Sequence, residues 1–157
     1  SEMCIRDSLF DHVNIDKANT HVPNGHADNL EEEAVRYESF IQSLGGIDLQ
    51  LLGIGHNGHI GFNEPTDNFP ATVHTVQLTE STINANSRLF ERREDVPTQA
   101  ITMGIGTIMK AKKILLIAGP DKAEIVEKAC FGKVTPEVPA SVLQLHPDVT
   151  VILSAEK

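Results

Sequence analysis

The sequence predicts an α/β protein built on a mostly parallel sheet, and three observations carry that prediction. Near-unbroken apolar runs at residues 47–54, 113–118 and 149–153 read as strands buried on both faces. Amphipathic stretches alternate with them, which is the pattern of strand and crossover helix. Glycine stands at the ends of strands: Gly53 to Gly58, Gly104 to Gly106 after a shorter run, and Gly119. In such sheets ligands bind beyond the carboxyl ends of the strands, so a site is expected where those three loops meet.

Taken in order, residues 1–8 show no clear period and are set aside as a fragment edge or foreign sequence, leaving 9–157 as one domain. Leu9 to Val13 is an apolar patch, followed by a polar loop through Pro23-Asn24-Gly25. A helix is expected from about residue 28 to 44. Its apolar stripe is Leu30, Ala34, Tyr37, Ile41 and Leu44, with Asp28 and Glu31 as a capping box and Gly45-Gly46 as the stop. The run Glu31-Glu32-Glu33 reads as a solvated first turn that suits the helix dipole.

Residues 47–54 form the strand that feeds the glycine loop, and residues 72–78 alternate as a second strand would. A helix capped by Thr79 or Ser81 then carries Ile83, Ala85, Leu89 and Phe90, and a third short strand covers residues 100–103. Residues 113–118 are a continuous apolar strand broken by Gly119-Pro120. The next helix, residues 121–130, has Asp121 and Glu124 at cap spacing. A short helix at 139–145 opens on proline and is stopped by His146-Pro147, with Val142, Leu143 and Leu145 in the core. A last strand follows at 149–153.

At 157 residues, 40% hydrophobic and 22% charged, the chain is long and apolar enough for one domain with a real core. Its formal charge of −9 argues against nucleic-acid or anionic-membrane partners. An anionic small molecule is still compatible with it, through a local cationic pocket. Cys4 and Cys130 form no spaced pattern, which points to free thiols and a reducing cytoplasm rather than a disulfide framework or a zinc site. No stretch approaches the roughly 20 apolar residues of a membrane helix.

The densest chemistry lies in Gly53-Ile54-Gly55-His56-Asn57-Gly58-His59-Ile60-Gly61-Phe62-Asn63-Glu64-Pro65. His59 and Glu64 suit proton transfer, because a carboxylate that holds one imidazole nitrogen leaves the other to accept a proton. A backbone-bonded, purely structural histidine is the alternative. His56, His59 and Glu64 also resemble a metal set, without a fixed tetrahedral geometry. Asn57 and Asn63 suit either substrate hydroxyls or the turn itself. Gly55 and Gly58 are where a substrate is expected to approach the backbone. Lys122, in the first turn of a helix, opposes the dipole unless an anion sits there. Arg88 has a guanidinium able to fork onto a phosphate, or onto a surface carboxylate. His146 reads as a helix-stop residue.

This loop closely resembles the signature of glucosamine-6-phosphate deaminases. So do Leu9-Phe10-Asp11-His12-Val13, Ala85-Asn86-Ser87-Arg88-Leu89-Phe90, Thr102-Met103-Gly104-Ile105-Gly106-Thr107 and Ala140-Ser141-Val142-Leu143-Gln144-Leu145-His146-Pro147, in that order. The resemblance implies a three-layer, Rossmann-like, mostly parallel sheet of the sugar-phosphate isomerase/deaminase type. It implies conversion of glucosamine 6-phosphate and water to fructose 6-phosphate and ammonia, with no metal or organic cofactor. It puts His59 in ring opening with Glu64 beside it, and Arg88 and Lys122 on the substrate phosphate.

Three departures qualify that. Asn57 stands where many members carry an aspartate, though shorter bacterial members resemble this chain, so a relay of three carboxylates is in doubt. The family's upstream glycine–threonine phosphate loop and proton-carrying aspartate have no counterpart here, so 9–157 is expected to be the carboxyl-terminal two-thirds of one domain with its first strands missing. Since general-base catalysis contributes ~10²–10⁴-fold, the chain alone is expected to be inactive. Residues 66–72 hold no Arg or Lys, so the allosteric phosphate site of hexameric members is expected to be missing. The parent is left open as monomer or homo-oligomer. A 6-phosphogluconolactonase-like hydrolase and a non-catalytic sugar-phosphate-sensing domain are the competing readings. The Phe62-Asn63-Glu64-Pro65 ending favours the deaminase.

Overall fold

The computed structural model describes residues 2–80, 83–84, 87–92 and 95–155. Three parallel strands form the main sheet: β1 (Leu49–Leu52), β4 (Lys113–Ala118) and β5 (Val149–Leu153), in the order β1-β4-β5. Leu52 stands opposite Leu116, and Ala118 opposite Leu153. The predicted strands at 72–78 and 100–103 are present as β2 (His74–Gln77) and β3 (Gln99–Thr102), but they leave the main sheet and pair antiparallel with each other. Their sequences explain this. His74, Thr75, Gln77 and Gln99 are too polar for a strand buried on both faces, and an antiparallel pair tolerates one wet face.

The core lies on one face of the main sheet. Ile114, Leu116, Ala118 and Leu52 pack there with Ile125, Val126 and Ala129 of one helix and with Val142 and Leu143. The opposite face is bare among the described residues: Leu49, Leu51, Ile117 and Ile152 are 58%, 60%, 46% and 49% exposed. The expected cover on both faces is therefore present on one. A groove of about 480 Å³, lined by Tyr37, Phe40, Ile41, Leu44 and Leu49, separates the long helix from the edge of β1.

The helices are α1 (Glu2–Ser8), α2 (Leu30–Ser43), α3 (Ile105–Met109) and α4 (Ala123–Phe131). Residues 1–8, read as lacking a period, thus contribute a helix that runs into a 3₁₀ turn at Phe10–His12. The cap of α2 is Asn29 and not Asp28: its Oδ1 accepts from the N–H groups of Glu31 and Glu32. Gly45 and Gly46 end the helix with φ of 86° and 89°, a conformation glycine adopts without strain. Leu44 belongs to that exposed end and not to the buried stripe.

Two carboxylates on α2 are buried, Glu33 and Glu38; of the acidic first turn, Glu31 and Glu32 are exposed as expected and Glu33 is not. Glu33 accepts from both Nε and NH2 of Arg36 and from the backbone N–H of Asn24. The Arg36 bond, which outweighs the cost of burial, brings its carboxyl down to about 2. Glu38 accepts from Val73 N–H, Thr107 Oγ1 and Gln42 Nε2, and so fastens α2 to β2 and α3. Burial raises its carboxyl, but those three bonds and the charge of Lys110 together hold it below the ordinary value.

The remaining segments follow the pattern with small changes. The predicted helix at 121–130 begins two residues later, after a 3₁₀ turn at Pro120–Lys122, and Asp121 does not cap it. Pro139–Leu145 is a 3₁₀ helix whose residues Pro139 to Leu143 are buried. Leu145, expected in the core, is its last residue and stays 67% exposed as the chain turns back toward β5. In the helix expected after Thr79, Ser81, Ala85 and Asn86 lie outside the described residues, and Ser87–Leu89 forms a 3₁₀ turn. Among the described residues no helix is long and apolar enough to cross a membrane.

Candidate active site

The carboxyl end of β1 delivers the glycine-rich loop. Gly55 N–H donates to the carbonyl of His59, and Gly58 N–H to that of Gly55, which folds the loop back on itself. Gly58 has a φ of 87°, and its carbonyl accepts from Ala140 N–H, fixing the turn against the 3₁₀ helix behind it. At Gly55 the need for glycine is steric. An added Cβ would stand 2.1 Å from Cε1 of His59, so the imidazole lies directly on the backbone of Gly55. At Gly58 an added Cβ would meet Val138 at 2.7 Å. The structure gives both glycines a packing role, whatever they do for a ligand.

That arrangement presents the His59 ring to a carboxamide and a carboxylate. Asn57 Nδ2 donates to Glu64 Oε2 at 2.6 Å, and Asn57 Oδ1 accepts the backbone N–H of His59 at 3.2 Å. A carboxylate only accepts and a backbone amide only donates, so the two bonds together fix which way the amide faces. The same Oδ1 is 2.8 Å from His59 Nδ1, and Glu64 Oε1 is 3.5 Å from it. Both neighbours of Nδ1 are acceptors, so Nδ1 carries the proton and Nε2 keeps its lone pair. His59 and Glu64 are about one-third exposed, at 35% and 31%. A half-open imidazole with a fixed tautomer and an adjacent negative charge is equipped to take up a proton and return it.

Asn63 serves the turn. It is 2% exposed, and its Nδ2 donates to the carbonyls of Ile60 and Met103, tying the end of the loop to the β3–α3 connection. Phe62 N–H donates to Thr102 Oγ1 in the same junction. Pro70 to Thr72 fill the Gly104–Gly106 turn: Gly106 N–H donates to the Pro70 carbonyl, and a Cβ on Gly104 would lie 2.1 Å from the Thr72 carbonyl. Of the three glycine loops, this one is packed shut.

The Gly119 loop approaches the first through His56. Lys122 Nζ donates to Asp121 Oδ2, and the same oxygen lies 3.5 Å from His56 Nε2. The Lys122 bond holds the Asp121 carboxyl below its usual value, with smaller contributions from the charges of Lys122 and His56. His56 thus faces Asp121 and not Glu64, so the set His56, His59 and Glu64 does not converge. Among the described residues no three His, Cys, Asp or Glu side chains are placed to hold a metal. Arg88 is exposed in its 3₁₀ turn, and no hydrogen bond or ion pair joins it to the loop among the described residues. His146 is buried and structural: Nε2 donates to the Ala111 carbonyl and Nδ1 accepts Asp148 N–H.

The reading from sequence missed Asp121, which stands beside Lys122 and was assigned to a helix cap. Its signal was the adjacency itself, an acid next to a base directly after Gly-Pro.

Comparison with known proteins places this geometry among relatives. Residues 2–152 match the family model described as glucosamine-6-phosphate isomerases/6-phosphogluconolactonase. A glucosamine-6-phosphate deaminase of Lachnoclostridium phytofermentans is 64% identical over 151 residues, covering 96% of this chain and 64% of that protein. One from Clostridioides difficile is 57% identical over 150 residues, covering 95% and 60%. The solved structure of a monomeric glucosamine-6-phosphate deaminase superposes with a TM-score of 0.88 at 47% identity, covering 96% of this chain and 63% of that one. A 6-phosphogluconolactonase from Thermotoga maritima, at 19% identity and a TM-score of 0.67, shares the fold; it covers 95% and 62%. The chain therefore spans 60–64% of the length of the deaminases it resembles.

Proposed function

The chain belongs to the glucosamine-6-phosphate isomerase/6-phosphogluconolactonase family, and from that premise we propose that the protein carrying it is a glucosamine-6-phosphate deaminase. The reaction takes glucosamine 6-phosphate and water to fructose 6-phosphate and ammonia. The observation that carries this reading is the Asn57 bridge, which leaves Nε2 of His59 as an open base on a rigid loop.

In ring opening, Nε2 takes the proton of the anomeric hydroxyl and returns it to the ring oxygen as the C1–O5 bond breaks. The imidazolium formed between these steps holds its Nδ1 proton against Asn57 Oδ1, with the Glu64 charge 3.5 Å away. Asn57 aligns and Glu64 supplies charge, so a neutral carboxamide suffices where an aspartate would add a second negative charge. Lys122 and Arg88 take the phosphate, and Gly55 and Gly58 bring the backbone close to the sugar.

We further propose that residues 9–157 are part of one larger domain whose remainder covers the bare face of the main sheet. Four exposed apolar side chains on that face, and the greater length of the relatives, support this. The enzyme is assigned to the cytoplasm, in keeping with the free thiol of Cys130. The test is ammonia release from glucosamine 6-phosphate, run on the 157-residue chain and on a protein completed to the relatives' length. Release by the completed protein alone is expected. Hydrolysis of 6-phosphogluconolactone without ammonia release would replace the reading with the lactonase. Release by the short chain would overturn the proposal that its site is incomplete.

A further inference from the structure

Asp121 stands between the two glycine loops. Its Oδ2 accepts from Lys122 Nζ, and its Oδ1 lies so close over Gly119 that a Cβ there would stand 2.8 Å away. The carboxylate thus rests on the glycine that ends β4, with the ammonium folded onto it; the Lys122 side chain is only 19% exposed. From the other glycine loop, His56 Nε2 stands 3.5 Å from the same Oδ2. One carboxylate oxygen is shared by two bases on two different loops.

We propose that Asp121 is a built-in competitor for the phosphate subsite, displaced from Lys122 when a phosphate group arrives and received by His56. This rests on the reading that Lys122 meets the substrate phosphate. The energetics favour exchange. The Asp121 carboxylate is largely exposed, and ion pairs with a solvated partner are weak, so Asp121 leaves Lys122 easily. A phosphate dianion brings more charge and more acceptor oxygens than the carboxylate it replaces, and its bonds are charge-assisted. A weakly held monoanion gains little by the same exchange. Asp121 therefore lowers the apparent affinity of the subsite for every anion by one common factor, so that weakly held monoanions stay unbound at concentrations where a dianion still displaces it. His56 lowers the cost of displacement by giving the carboxylate a second partner.

The test is a titration of the protein completed to the relatives' length with inorganic phosphate and with acetate at constant ionic strength, followed by amide chemical shifts of the Gly119 loop. Asp121→Asn should tighten phosphate binding roughly two- to fivefold, the size set by a weak ion pair, and should tighten acetate binding by about the same factor. Lys122→Met should weaken phosphate binding and abolish the gain from Asp121→Asn in the double variant. His56→Gln should weaken binding in the parent and leave the Asp121→Asn protein unaffected. If Lys122→Met weakens binding while Asp121→Asn does not strengthen it, the competitor is refuted and the phosphate contact stands. If Lys122→Met has no effect, the phosphate contact falls and the competitor with it.

Discussion

His59 and His146 are both held in a single tautomer, by neighbours with opposite consequences. At His146 both ring nitrogens are used: Nε2 donates to a carbonyl and Nδ1 accepts an amide, inside a buried junction between α3 and β5. At His59 only Nδ1 is used, by Asn57 Oδ1 with Glu64 behind it, and the ring is one-third exposed. The first imidazole has no capacity left and acts as a hydrogen-bonding brace. The second has one lone pair left over, which is the condition for chemistry. Among histidines of one chain, what separates a reactive ring from a structural one is the number of nitrogens the fold has already satisfied.

The sharpest way to break that contrast is to remove each ring in turn. His59→Gln in a protein completed to the relatives' length should lower kcat for ammonia release by ~10²–10⁴-fold. Urea unfolding of the same variant should move by no more than about 0.5 kcal/mol. Gly55→Ala leaves the ring in the sequence but takes away the backbone it lies on, and a displacement near 1 Å should lower kcat by roughly 10²-fold. His146→Leu should do the reverse, costing about 1–3 kcal/mol of stability by leaving the Ala111 carbonyl and Asp148 N–H unpaired. The activity of its folded fraction should be preserved. A His146 variant that kept full stability, or a His59 variant that kept full activity, would erase the distinction.

Two gentler measurements sharpen it. Long-range ¹⁵N–¹H spectra should show the proton on Nδ1 in His59 and on Nε2 in His146. Glu33 is an acidic counterpart of His146, a side chain with its partners fully assigned. Its folded value of about 2 lies below the ordinary 4.5, so its contribution is complete above about pH 4.5 and is lost as the pH falls toward 2. The acid-side loss of stability should shrink in Glu33→Gln, read as a shift in the urea midpoint between pH 5 and pH 2.5.

Much of this fold was legible because its central strands are apolar along their whole length. Residues 113–118 and 149–153 coincide with β4 and β5, and the glycine loop follows β1 as expected. That His59, Asn57 and Glu64 come together was legible because they lie in one short loop, where spacing constrains geometry. What stayed hidden depends on contacts between distant positions. Glu38 meets Thr107 across 69 residues, and the burial of Glu33 requires Asn24 to fold back over α2. The shared oxygen of Asp121 joins two loops that no local pattern connects. The ribbon of β2 and β3 was read as two strands but not as a separate pair, because alternation identifies a strand without naming its neighbour.

The edge of β1 has a practical consequence. No described strand pairs with its outer side, and Leu49 and Leu51 stand exposed on its bare face. An unpaired edge carrying exposed leucines offers a template on which another extended segment can add itself. The 157-residue chain expressed alone should therefore have poor colloidal stability, with turbidity rising steeply with concentration. Lys at position 51 in place of leucine should raise its solubility limit without touching the glycine loop.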